Sequence, residues 1–167
     1  MIDPVALRIV EQTPAVLRGL LAGLPPALLQ APNDEGWSLT DIVAHLHDVE
    51  NGVMVERIQR LLHEERPFIP SIDPPARLRA GGYAGRTVDE LVGDLERLRR
   101  AHAAWLTNLA PDEIARGGEH EEVGEIRVAD LAHQWAAHDM THLRQIAFMI
   151  QQYLAPLMGN TRAFYDV

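Results

Sequence analysis

The chain contains no cysteine. That excludes disulfides, thiolate metal ligands and cysteine nucleophiles, and it suits a cytoplasmic protein, where thiols stay reduced. No apolar run approaches the roughly 20 residues needed to cross a bilayer, so no membrane association is expected. The opening stretch MIDPVALRIVEQTP lacks a basic region followed by a long apolar segment, and no secretory signal is expected from it. Internal repeats, low-complexity tracts and strict period-two alternation are also missing. Positive charge is scarce: 15 basic residues stand against 24 acidic ones, a net charge of −9. Broad binding to a phosphate backbone needs a positive stripe, so no nucleic-acid partner is expected.

What is present is a helical pattern. With 167 residues, 47% of them hydrophobic, the chain is long enough for one substantial core, and a single domain over 1–167 is expected. Four long helices are read from the periodicity. Helix A starts at Pro4 or Pro14, since Asp3-Pro4 and Thr13-Pro14 both resemble a cap followed by a first turn, and runs to Ala22. LPPALLQ adds a short turn. Helix B starts after the cap Ser38, with Asp41 three residues on, and runs to about His63. Residues 64–86, rich in proline and glycine, form a long crossover. Helix C starts at Thr87, with Glu90 completing a capping box, and ends near Leu109. The stretch DEIARGGEHEEVGEI then leads to helix D, from about Val128 to Leu154. The expected fold is an all-α four-helix bundle with its long crossover between helices B and C, an architecture that builds metal sites between facing helices.

Histidines stand where a core wants aliphatic groups. On helix D the apolar residues Leu131, Trp135, Ile146 and Met149 share one stripe at about 100° per residue. His138 and His142 project into its middle, one turn apart, in the geometry that chelates a single ion. Two hydrogen-bonded core histidines are the structural alternative. A metal needs at least a third protein ligand. Helix B offers His45 and His47, on opposite flanks of its apolar face, and periodicity does not choose between them. Glu50 and Arg57 fall near the inner face of that helix. They read first as an ion pair across two turns, second as acid–base or ligand-orienting groups. His102 lies on the stripe of helix C and reads as a satisfied core histidine; His133 points to solvent.

The motifs GWSLTDIVAHLHDVE and AAHDMTHLRQI resemble the Trp-Ser…His-Leu…Glu and His-x-x-x-His-Leu-x-Gln-Ile signatures of the DinB-like family of metal-dependent four-helix-bundle proteins. VERIQRLLHEERPF, TVDELVGDLERLRR and EEVGEIRVADL follow in matching order. The resemblance implies three metal ligands at His45, His138 and His142, and it selects His45 over His47 because the histidine before leucine is the family position. It also implies zinc or nickel as the ion and a homodimer. For some relatives it implies thiol S-transfer or isomerisation with bacterial low-molecular-weight thiols.

Three neutral imidazoles leave a coordination position open, the pattern of catalytic rather than structural zinc sites. The expected function is therefore a divalent-metal-dependent enzyme acting on a small molecule, first as a thiol S-transferase. The alternatives are a metal-dependent hydrolase and a non-catalytic metal-binding stress-response protein. Glu50, Arg57 and Tyr83 are the candidate pocket residues, and the 64–86 crossover is expected to shape the pocket.

Overall fold

The computed structural model describes residues 1–165. Four long helical rods form the bundle, and each start is written in local chemistry. Helix α1 spans Pro4–Leu21; the Asp3 side chain accepts from the Val5 N–H at 2.7 Å and Pro4 occupies the first turn. The earlier of the two possible starts is thus the one used, and Pro14 lies inside the helix. A short helix α2 (Pro26–Gln30) follows. Helix α3 (Leu39–Val49) opens on the expected capping box: the Asp41 N–H donates to Ser38 Oγ at 3.1 Å, and the Ser38 N–H donates to Asp41 at 2.9 Å. It runs through a π-helical turn, Glu50–Val55, into α4 (Glu56–His63). After strand β1 (Phe68–Ile69) and helix α5 (Pro74–Ala80) comes α6 (Val88–Thr107), capped by Thr87 and Glu90 as its sequence predicts. Helix α7 (Pro111–Ala115) and strands β2 (Gly117–His120) and β3 (Gly124–Arg127) lead directly into α8 (Val128–Leu154).

Helix α1 packs against α6 and α8, and α3 packs against the same two helices. The four-helix bundle is therefore as expected. The two connections are not irregular, however. They join in a three-stranded sheet, β1 parallel to β2 and β2 antiparallel to β3. Gly118 makes this possible, since a Cβ there would stand 2.4 Å from the Pro67 carbonyl oxygen.

Two apolar clusters fill the bundle. One gathers Val10, Val49, Ile58, Leu106 and Trp135; the other gathers Leu17, Leu46, Leu95 and Ile146. Between them in sequence on each helix lie Thr13, Glu50, Arg99 and Asp139, all buried. Arg99 donates to Glu50, to Asp139 Oδ1 at 2.9 Å and to the Val10 carbonyl at 3.0 Å. Pro14 explains the last of these. Proline has no N–H, so the carbonyl four residues earlier, that of Val10, loses its helical partner. Arg99 takes the place of that missing donor. Glu50 also accepts a hydrogen bond from His102 Nδ1 at 2.6 Å. His102 is thus the satisfied core histidine that its stripe predicts.

The expected Glu50–Arg57 ion pair does not form. Arg57 donates instead to the Pro70 carbonyl at 2.7 Å. The π turn is the reason. Three steps of four residues from His45 to Arg57 advance an α-helix by about 120°. A π turn takes in one residue more than an α turn and sets the following helix back by about 100°. Glu50 keeps its place on the core side, whereas Arg57 swings round to the face that carries His45.

Candidate metal centre

That face of α3 meets α8. His45 is 5% exposed, and its Nε2 lies 3.1 Å from Nε2 of His138. Nε2 of His142 lies 3.2 Å from the same atom. The ring centroids stand 4.5–5.1 Å apart, and one nitrogen from each ring falls within 4.8 Å of the others. Three donors held about 2.0–2.1 Å from one ion stand roughly 2.9 Å apart at right angles and roughly 3.3 Å apart in a tetrahedron. The two Nε2 spacings fall between these limits.

Protonation points the same way. Burial first, then the neighbouring imidazoles, pushes His45 down to about 3 and His138 to about 4; burial also lowers His142. All three are neutral near pH 7. Gln145 Oε1 accepts from His142 Nδ1 at 2.9 Å, which leaves the His142 Nε2 lone pair facing inward. Nε2 of His138 carries at most one proton, and that proton cannot serve both close nitrogen contacts. Nδ1 of His138 is buried with no hydrogen-bond partner. Without a cation, a lone pair faces a lone pair in at least one of these contacts. The donor set fits a divalent ion.

His47 lies elsewhere. Its Nδ1 is 3.3 Å from the Tyr83 hydroxyl, and burial, aided by Arg86, lowers its pKa. Tyr83 also bonds to Asp48, and burial followed by that carboxylate pushes its hydroxyl up to about 12. Tyr83 lines a separate cavity beside Thr87 and Arg86. Glu50 sits behind the histidines in the Arg99 network, fully buried. Of the three candidate pocket residues, only Arg57 lines the cavity onto which the histidines open.

That cavity, about 770 Å³, has His45, His138 and His142 in its wall. Its size is ordinary for a small-molecule site. Trp37 stands edge-on to His45 with ring centroids 5.4 Å apart. Ile72, Pro74 and Pro75 come from the 64–86 crossover, which therefore does shape the pocket. Sequence reasoning missed Arg99 and Asp139, though both fall on their helices' apolar stripes, Arg99 between Leu95 and Leu106 and Asp139 between Trp135 and Ile146. A charged residue inside such a stripe was the available signal. Arg144, also in the cavity wall, was missed because it lies on the stripe's edge and reads as solvated.

Residues 9–146 match the DinB superfamily. A protein of Oceanobacillus iheyensis named as a putative metal-dependent hydrolase is 22% identical over 144 residues, 86% of this chain and 83% of that one. Among solved structures, YfiT of Bacillus subtilis superposes with a TM-score of 0.80 at 22% identity, over 89% of this chain and 85% of its own. It is described as a probable metal-dependent hydrolase with an unusual four-helix bundle topology. The four-helix bundle protein TT2238 superposes with a TM-score of 0.58, also at 22% identity, over 85% of this chain and 94% of its own.

Proposed function

The chain belongs to the DinB superfamily, and from that premise we propose that it is a metal-dependent enzyme in which His45, His138 and His142 hold one divalent ion, zinc or nickel, at the wall of a substrate cavity. The observation that carries this reading is the convergence of three neutral imidazole nitrogens, from α3 and α8, onto a cavity rather than into sealed core. When bound, such an ion supplies a Lewis acid with an open position, able to draw the proton from a coordinating water or thiol.

Around it the chain's own residues bind and orient. Gln145 fixes the His142 ring through Nδ1. Trp37 braces His45 and walls off water on that side. Among the described residues the only carboxylate in the cavity wall is the exposed Glu35. Hydrolysis asks for a general base and then an acid at the leaving group. A thiol, once deprotonated, needs neither to attack an electrophilic carbon. The lining therefore favours thiol S-transfer, with a low-molecular-weight thiol as co-substrate, over the hydrolysis that the relatives' names suggest.

Two measurements test this. Protein purified without chelator or a His-tag column should carry about one divalent ion per chain by elemental analysis. The loaded protein should then consume glutathione, bacillithiol or mycothiol in the presence of model electrophiles, at a rate that chelation abolishes. Ester or amide cleavage independent of any thiol would transfer the assignment to hydrolysis. A chain that takes up no ion would end both.

A further inference from the structure

The cavity wall carries an unusual charge for this protein. The chain as a whole is acidic, at −9. Within the wall, two guanidiniums, Arg57 and Arg144, face a single carboxylate, Glu35. Elsewhere in the bundle arginines are matched with acids: Arg18 with Glu96, Arg77 with Asp48, Arg86 with Asp94, Arg99 with Glu50 and Asp139. The two in the cavity are not. Arg57 spends one donor on the Pro70 carbonyl and has four N–H groups left. Arg144 makes no hydrogen bond or ion pair with any described residue.

Arg57 is also placed by design of the backbone. The π turn returns it to the face of α3 and α4 that carries His45, Val49 and Val53, and all four residues line the cavity. It is half-buried there, and desolvation acts against its charge. A cation held in such a place without an acidic partner lacks a counter-charge that a ligand would supply. Between it and the histidines the wall is aliphatic, formed by Val49, Val53, Met54 and Ile72. A planar guanidinium matches a carboxylate with two parallel hydrogen bonds.

Resting on the metal-dependent reading of this cavity, we propose that its substrate is an organic acid with an apolar body, the carboxylate received by Arg57 and Arg144 and the body laid along Val49, Val53, Met54 and Ile72. The two arginines are then specificity-determining residues, and the reacting carbon lies between them and the histidines.

Calorimetric titration of the metal-loaded protein tests this with a panel of aryl and alkyl acids, phenylacetate, phenylbutyrate and hexanoate, each against its neutral amide. Acids should bind about 10- to 100-fold more tightly than their amides, the range expected of charge-assisted hydrogen bonds. Arg57→Gln and Arg144→Gln should each shrink that preference, and the double variant should remove it, with metal content unchanged by elemental analysis. Arg57→Lys should retain part of it. Arg144 makes no internal polar contact, so its variant reports on the site even if Arg57→Gln fails to fold. Equal binding of acids and amides, or no binding of any acid, overturns the proposal. So does a preference that survives in the double variant, since the ion would then be the anchor. Inorganic phosphate that competes as strongly as the best acid would make this a general anion site and also overturn it. Repeating the titration on chelator-stripped protein separates the two readings: the acid preference then rests on the arginines alone, whether or not the ion assignment stands.

Discussion

Replacing Arg99 with methionine keeps most of its volume and removes its charge. Arg99 is 1% exposed, and both Glu50 and Asp139 are wholly buried. In the variant the two carboxylates face each other's layer without their cation, Asp139 loses a 2.9 Å hydrogen bond, and the Val10 carbonyl, already without a helical partner, loses its 3.0 Å donor. Breaking a buried ion pair by removing one partner costs about 3–5 kcal/mol. A domain's whole stability is about 5–15 kcal/mol, so the loss should be a third or more of it. For a chain of this length that is a fall of roughly 6–20 °C in Tm. Urea unfolding of chelator-treated protein, followed by far-UV circular dichroism, should give this loss at pH 7.5. It should give a smaller one at pH 5.5, because a buried carboxyl deprived of its cation folds more readily with a proton on it. Combining Arg99→Met with Glu50→Gln and Asp139→Asn should recover most of the stability, since no buried charge is then left alone. A loss under about 1 kcal/mol, or one that does not change with pH, would refute the view that the layer is an interdependent ionic unit.

Three further outcomes follow from the histidines. His138→Ala should abolish stoichiometric metal uptake and His45→Ala should weaken it severely, whereas His47→Ala should leave it intact; loss on changing His47 alone would reverse the choice between the two flanking histidines. Gln145→Leu frees the His142 ring and should lower metal affinity about 10- to 100-fold in a competition titration with a chromogenic chelator, with little change in fold; unchanged affinity would dismiss Gln145 as an orienting group. The pH dependence of the metal-free protein has a definite sign: His45 and His138 titrate near 6.5 when unfolded and at about 3 and about 4 when folded, so the unfolded chain binds the extra protons as pH drops. Stability is full above about 6.5 and should fall by up to about 3 kcal/mol per pH unit below it. A flat profile between pH 6.5 and 4.5 would contradict the burial of neutral imidazoles.

The helix starts were legible because their chemistry is local. Ser38 with Asp41, and Thr87 with Glu90, announce a cap within four residues. The pair His138 and His142 was legible because both sit on the seam of one unbroken helix. What escaped depends on distance in space. Strands of two to four residues are too short to show alternation, and a parallel partner some fifty residues away leaves no local mark. The π turn escaped for a different reason: one surplus residue in Glu50–Val55 alters the phase of everything after it, while the residues themselves look helical. Carrying the α period through it put Glu50 and Arg57 together and hid that Arg57 shares a face with His45. The choice of His45 over His47 came from resemblance to a family, since flanks at equal angles are equal to any periodic reading.

A leucine-lined bundle has little, on packing alone, to stop one rod sliding a turn, about 5.4 Å, along another. The Arg99 guanidinium forbids it here. It grips the Val10 carbonyl on the first rod, Glu50 on the second and Asp139 on the fourth, and any slip would strand all of them in hydrocarbon. The imidazoles one residue from Asp139 and five from Glu50 inherit that fixed alignment. The claw that meets an incoming ion is thus assembled by the scaffold in advance, and loading it should be a docking event on a finished molecule, not the last step of its folding.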